Sequence, residues 1–103
     1  MKLFIVTWST ASVDDRNNVQ SFNGIDGIFK DRASAEQALE TSKQGFIEEL
    51  RDYCEEEISE SELFEEFEVS ISGSPADGYY DLSYFLADTP LSAYLQIIET
   101  DHI

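Results

Sequence analysis

The residues with most chemical capacity in this sequence are its carboxylates. Eleven acids stand between Glu48 and Glu68, against Arg51 alone. Such a run is open to three kinds of chemistry. It can hold a hard cation, which needs convergent oxygens on a glycine-turn loop. No Asp-x-Asp-x-Asp-Gly pattern is present, and a helix carrying these acids splays them apart, so no metal site is expected. It can supply a pair for acid–base work, but among 22 Asp and Glu no pair stands out. It can also present a negative surface to something positive.

Other reactive groups point away from catalysis. Cys54 has Asp52, Glu55, Glu56 and Glu57 around it, and anions suppress the thiolate. It reads as a packing residue. The one histidine, His102, is next to last in the sequence. There is no Gly-x-Ser-x-Gly, no phosphate-binding glycine loop and no dinucleotide fingerprint. The expectation is a protein that is not an enzyme, with no catalytic residue and no cofactor.

These acids must be positioned by a small fold. The chain has 103 residues, 42 % of them hydrophobic, enough for a single α+β domain over 1–103. One Cys excludes a disulfide framework. Leu3 to Trp8 is short, aromatic and β-branched, and reads as a buried strand. Ser9 to Asn23 is polar and reads mostly as loop, with strand character around Val19 to Phe22. Gly24 to Lys30 reads as a strand pairing with the first in a wide hairpin.

Asp31 is a good N-cap. From Arg32 to about Ile58, Ala35, Leu39, Ser42, Phe46, Leu50 and Tyr53/Cys54 recur at helical steps. Gly45 is a place for a kink. Ser59-x-x-Glu62 fits a capping box for a short extra turn. Phe67 to Ser72 and Tyr79 to Ala87 alternate as strands, separated by a turn cluster at Gly73 to Gly78. Leu91 to Ile103 carries both helical and strand signals, with strand favoured. The expected architecture is α+β: one long helix packed on an antiparallel sheet of four to five strands, in the order ββαββ(β).

The charge is one-sided along the chain. All six basic residues lie within residues 1–51, which net −2; residues 52–103 hold 14 acids and no Lys or Arg. Adaptation to high salt predicts an even spread, which this is not. Acids in the second half of a long helix oppose its macrodipole, and like charges at i,i+3 and i,i+4 repel by about 0.2–0.5 kcal/mol a pair. A local rule broken this often, with no structural gain in view, points to function. An i,i+4 step advances about 6 Å, close to the spacing of phosphates along a strand, so a helix bearing these acids imitates a nucleic-acid surface. A solvated face is the simpler alternative.

In size and charge the chain is similar to small acidic phage-encoded anti-defence proteins. Small size, a single domain, the absence of a catalytic motif and the one-sided charge lead to the expectation of an inhibitor that mimics nucleic acid and blocks the basic site of a nuclease, a restriction or CRISPR effector, or another nucleic-acid-binding protein. The partner-binding residues are then Glu48, Glu49, Asp52, Glu55, Glu56, Glu57, Glu60, Glu62, Glu65 and Glu66, with Tyr79 and Tyr80 as aromatic anchors. The alternatives are an immunity protein or antitoxin for a basic toxin, and a homo-oligomeric structural domain, a homodimer formed through the sheet edge or the helix. A net charge of −16 argues against direct contact with nucleic acid or an anionic membrane. With no signal-peptide pattern at the start, the expected setting is cytoplasmic.

Overall fold

A computed structural model describes residues 2–13, 16–54, 56–86 and 89–101. The order is β1 (Lys2–Val13), β2 (Val19–Phe29), α1 (Arg32–Arg51), α2 (Glu60–Glu66), β3 (Ser70–Ser74), β4 (Tyr79–Leu86) and β5 (Thr89–Asp101). All five strands form one sheet in the order β2-β1-β5-β4-β3, every neighbour antiparallel. The α+β class and the antiparallel sheet agree with the sequence reading; the order ββααβββ, with two helices, extends it.

Both helices lie on one face of the sheet. Alternation along the strands sends Phe4, Val6, Tyr80, Leu82, Ala93 and Leu95 to that face, where they meet Ala35 and Leu39 of α1. A second cluster joins Ile47 and Leu50 of α1 to Leu63 of α2 and to Phe67, over Ile71, Tyr84 and Leu86. Burying a side chain such as Leu39 or Leu63 stabilises the fold by about 1.5–3 kcal/mol. The Cα extents are 47 × 33 × 19 Å. That thin dimension holds a sheet and one layer of helix, so the opposite sheet face is uncovered.

Helix starts follow the sequence. The Asp31 carboxylate accepts hydrogen bonds from the Ser34 N–H at 2.8 Å and the Ser34 hydroxyl at 3.0 Å. Ser59 caps α2, its hydroxyl accepting from the Glu62 N–H at 3.2 Å and donating to the Glu62 carboxylate at 3.1 Å.

Helix ends differ from expectation. The long helix stops at Arg51 instead of Ile58. The Asp52 N–H donates to the carbonyls of Glu48 and Glu49, and Arg51 Nη1 donates to the Ile58 carbonyl at 2.6 Å, drawing the chain back over the helix end. Continuing would have stacked more anions on the negative pole of α1, whereas turning lets Ile58 pack on the second cluster. α1 runs unbroken through Gly45.

Strand limits differ too. The expected polar loop from Ser9 is mostly hairpin: β1 and β2 pair from Phe4↔Phe29 out to Val13↔Val19, with a bulge beside Val6/Thr7. That end of the hairpin has little core to cover, so its residues are mostly polar and the apolar Val19 and Phe22 stay exposed. Phe67 is the C-cap of α2 and not a strand residue. Glu68 follows at φ 49°, with its N–H donating to the Glu65 carbonyl and the Val69 N–H to the Phe64 carbonyl. This is a Schellman closure with glutamate where glycine is usual. The last segment is strand β5, paired with both β1 and β4.

Candidate partner-binding surface

The acids between Glu48 and Glu68 are carried by three short pieces: the last turn of α1, the connection after it, and α2. Glu48 and Glu49 precede the end of α1 and Asp52 is its C-cap. Glu56 and Glu57 follow in the connection, and Glu60, Glu62, Glu65 and Glu66 stud α2. All of these, with Glu68, are exposed. Glu55 lies outside the described residues, as does His102. The second apolar cluster holds the pieces together, so the acids share one end of the helical side. The single rod expected from the sequence is replaced by two helices set on a common small core.

Ion pairing leaves this end unbalanced. Lys2 pairs with Glu99, Arg32 with Glu36, Lys43 with Glu40, and Arg51 with Glu48. Among the described residues no ion pair reaches an acid from Asp52 to Glu68. The acids do not converge either: no group of three or more Asp, Glu, Cys or His is placed to hold a metal ion among the described residues.

The two tyrosines chosen from the sequence do not join the acids. Tyr80 is 6 % exposed and belongs to the main core. Its hydroxyl donates to the Glu40 carboxylate, and the Lys43 ammonium lies 4.9 Å from its ring centre. Lys43 also bonds Glu40 at 2.7 Å. This trio ties α1 to β4. The hydrogen bond from Lys43, with that from Tyr80, holds the Glu40 carboxyl below the usual carboxylate range. Burial opposes charge on Lys43, but its bond to Glu40 and that carboxylate's charge outweigh it and raise the ammonium. Burial, then the bond to Glu40, raises the Tyr80 phenol. Tyr79 lies on the uncovered sheet face, where its ring stacks with Tyr94, centres 6.0 Å apart. Alternation explains the split: of two adjacent strand residues only one can face out on a given side.

The structure supplies aromatic groups beside the acids that the sequence reading passed over. Tyr53, expected on the apolar side of a longer helix, follows the end of α1 and is 64 % exposed among Glu49, Asp52 and Glu56 along the chain. Burial and then the charge of Glu49 raise the phenol of Tyr84. Beside the C-terminal half of α1, Trp8, Thr10, Phe22 and Phe46 line an open groove of about 470 Å³ that has Asp26 and Glu49 on its rim. Phe22 is 63 % exposed there. The Asp26 carboxylate accepts a hydrogen bond from the Ser42 hydroxyl, fixing the groove wall. Gly45 also lines the groove, and a Cβ there would meet no atom within 4 Å beyond its chain neighbours and the backbone of its own helix. A sequence signal existed for this groove in the aromatics Trp8 and Phe22, but only the full-length hairpin brings them to one side of α1.

Comparisons with family models, curated proteins and solved structures return no match. No helix is long and apolar enough to cross a membrane among the described residues.

Proposed function

We propose that this chain is an acidic inhibitor whose helical side imitates the charge of nucleic acid and docks on the basic site of a nucleic-acid-binding protein or nuclease. The reading asks for no catalysis by the chain itself. The observation that supports it is the gathering of exposed carboxylates from Asp52 to Glu68 at one end with, among the described residues, no ion pair to any of them, while Lys2, Arg32, Lys43 and Arg51 pair with other acids. Such a surface draws a basic partner at long range and sets its orientation. Affinity then comes from carboxylate–Lys pairs and from carboxylate–Arg pairs, the latter strengthened by bidentate geometry. The groove adds a second element, since guanidinium and ammonium groups favour aromatic faces such as Trp8 and Phe22 near a carboxylate. Tyr53 offers a large, partly polar anchor amid the acids.

The test is competition. The immobilised protein is exposed to host lysate at low salt and at about 0.5 M salt. The reading expects capture of a basic nucleic-acid-binding protein at low salt, weakened at high salt and displaced by duplex DNA. Captured proteins that DNA does not displace would argue against the mimic.

A further inference from the structure

We propose that the uncovered sheet face is a homodimer interface, packing against the same face of a second copy. By strand register this face carries Leu3, Ile5 and Thr7 of β1 opposite Thr100, Ile98 and Gln96 of β5, with Ile28 and Ile25 of β2 alongside. Its other half carries Tyr94 and Tyr79, which stack. Ile25, Ile28 and Ile98 are 63 %, 59 % and 41 % exposed. Solvent-exposed β-branched apolar residues clustered on one face mark an interaction surface rather than scattered surface hydrophobics.

Charge selects the occupant. The chain carries −16. Yet among the described strand residues that register sends to this face, Asp81 is the sole charged one. The surface therefore offers nothing to the basic partner that the helical side would attract, and it fits a surface equally free of charge. The same face on a second copy is one. A twofold interface requires a patch complementary to itself, and an apolar, serine- and threonine-flanked sheet meets that condition. Placed sheet to sheet at about 10 Å, two copies direct their carboxylate-rich helical sides outward, away from each other. Association through the helical side would instead bring the carboxylates of the two copies together.

The area is sufficient. Strand lengths at about 3.4 Å per residue and spacing of about 4.8 Å give a face of about 800 Å² per copy, matching the roughly 800 Å² per partner of a standard stable interface. The Tyr79–Tyr94 stack and the isoleucines supply the aromatic and aliphatic centre that such interfaces need.

Salt separates this inference from the proposed function. Docking of acids on a basic partner weakens with salt; association through an uncharged face, between two molecules that repel elsewhere, holds or strengthens. The experiment is sedimentation equilibrium of the full chain at about 100 μM in about 0.15 M and 1 M NaCl. The expected result is a dimer at both, tighter at the higher salt. Ile28→Glu/Ile98→Glu sets carboxylates in the interface and should weaken dimerisation more than about 100-fold, with the circular dichroism spectrum of the native chain retained. Ile28→Ser/Ile98→Ser serves the same purpose should the glutamates unfold the chain, with a weakening of at least about tenfold. A wild-type monomer at both salts overturns the inference, including one that sediments with phosphatidylcholine vesicles and so uses the face for lipid. A dimer unaffected by the folded variants, or one dissolved by salt, overturns it as well.

Discussion

Glu65 and Glu66 provide a stability test of the idea that the acidic end is maintained against the needs of folding. Both sit in the last turn of α2, where the helix pole is negative, and both neighbour Glu62 at i+3 and i+4. Each like-charge pair costs about 0.2–0.5 kcal/mol, and each anion near the C-terminal pole about 0.3–1 kcal/mol at low ionic strength. Exposure puts these at the low end, so Glu65→Gln/Glu66→Gln should stabilise the protein by about 1 kcal/mol. In a domain of this size that raises Tm by about 4–8 °C. The assay is thermal unfolding followed by circular dichroism at about 20 mM and 0.5 M NaCl, where the screening length falls from about 20 Å to about 4 Å. The gain should shrink to less than half at the higher salt. Glu62→Gln is the control. Its replacement relieves the same two like-charge pairs but removes an anion from the favourable N-terminal pole and leaves an amide able to serve in the Ser59 box, so stability should stay within about a few tenths of a kcal/mol of wild type. A double variant that melts no higher than wild type, or whose gain ignores salt, would refute the reasoning.

Three further outcomes follow from the geometry. Leu63 is fully buried and anchors α2, so Leu63→Ala should cost about 2–5 kcal/mol, measured by urea unfolding, with the acids of α2 losing their fixed arrangement. Glu68 occupies the left-handed region at φ 49° and is exposed, so Glu68→Gly should stabilise by about 1 kcal/mol on the same urea curves. Lys43, Tyr80 and Tyr84 all hold their protons more tightly when folded; the unfolded chain then releases them first, and stability should fall as pH rises past about 10. Tyr80→Phe should make that fall shallower in alkaline melts. The lowered Glu40 carboxyl acts in the opposite direction, its contribution present at neutral pH and lost as the solution is acidified through its folded value.

Local chemistry made the helix starts legible. Asp31 and Ser59 are capping residues whose side chains find the amides three residues on, as the sequence pattern requires. Helix ends were harder, because what stops α1 is not a local signal: Arg51 reaches seven residues forward to the Ile58 carbonyl, and Ile58 joins a core that the second helix completes. For the same reason Tyr53 read as an apolar-face residue when it is exposed. The long hairpin was hidden by its composition. Ser9, Thr10, Ser12, Gln20, Ser21 and Asn23 show no apolar alternation because the helical layer gives that end little to bury against. The acidic end was visible as composition, but its shape was not, since two helices on a shared core replace one rod. Alternation along β4 required that only one of Tyr79 and Tyr80 face outward, but not which: the pleat sends Tyr79 to the bare face and Tyr80 to the core.

The central claim is that the acids of the helical side exist for a basic partner. Its most direct measurement is the affinity of the captured partner for Glu56→Gln/Glu57→Gln/Glu60→Gln/Glu65→Gln/Glu66→Gln beside the wild-type chain, by calorimetry at one ionic strength. The account predicts a folded variant, at least as stable as wild type, with binding weakened more than about 100-fold as charge pairs are lost. A folded variant that binds as tightly as wild type would contradict it.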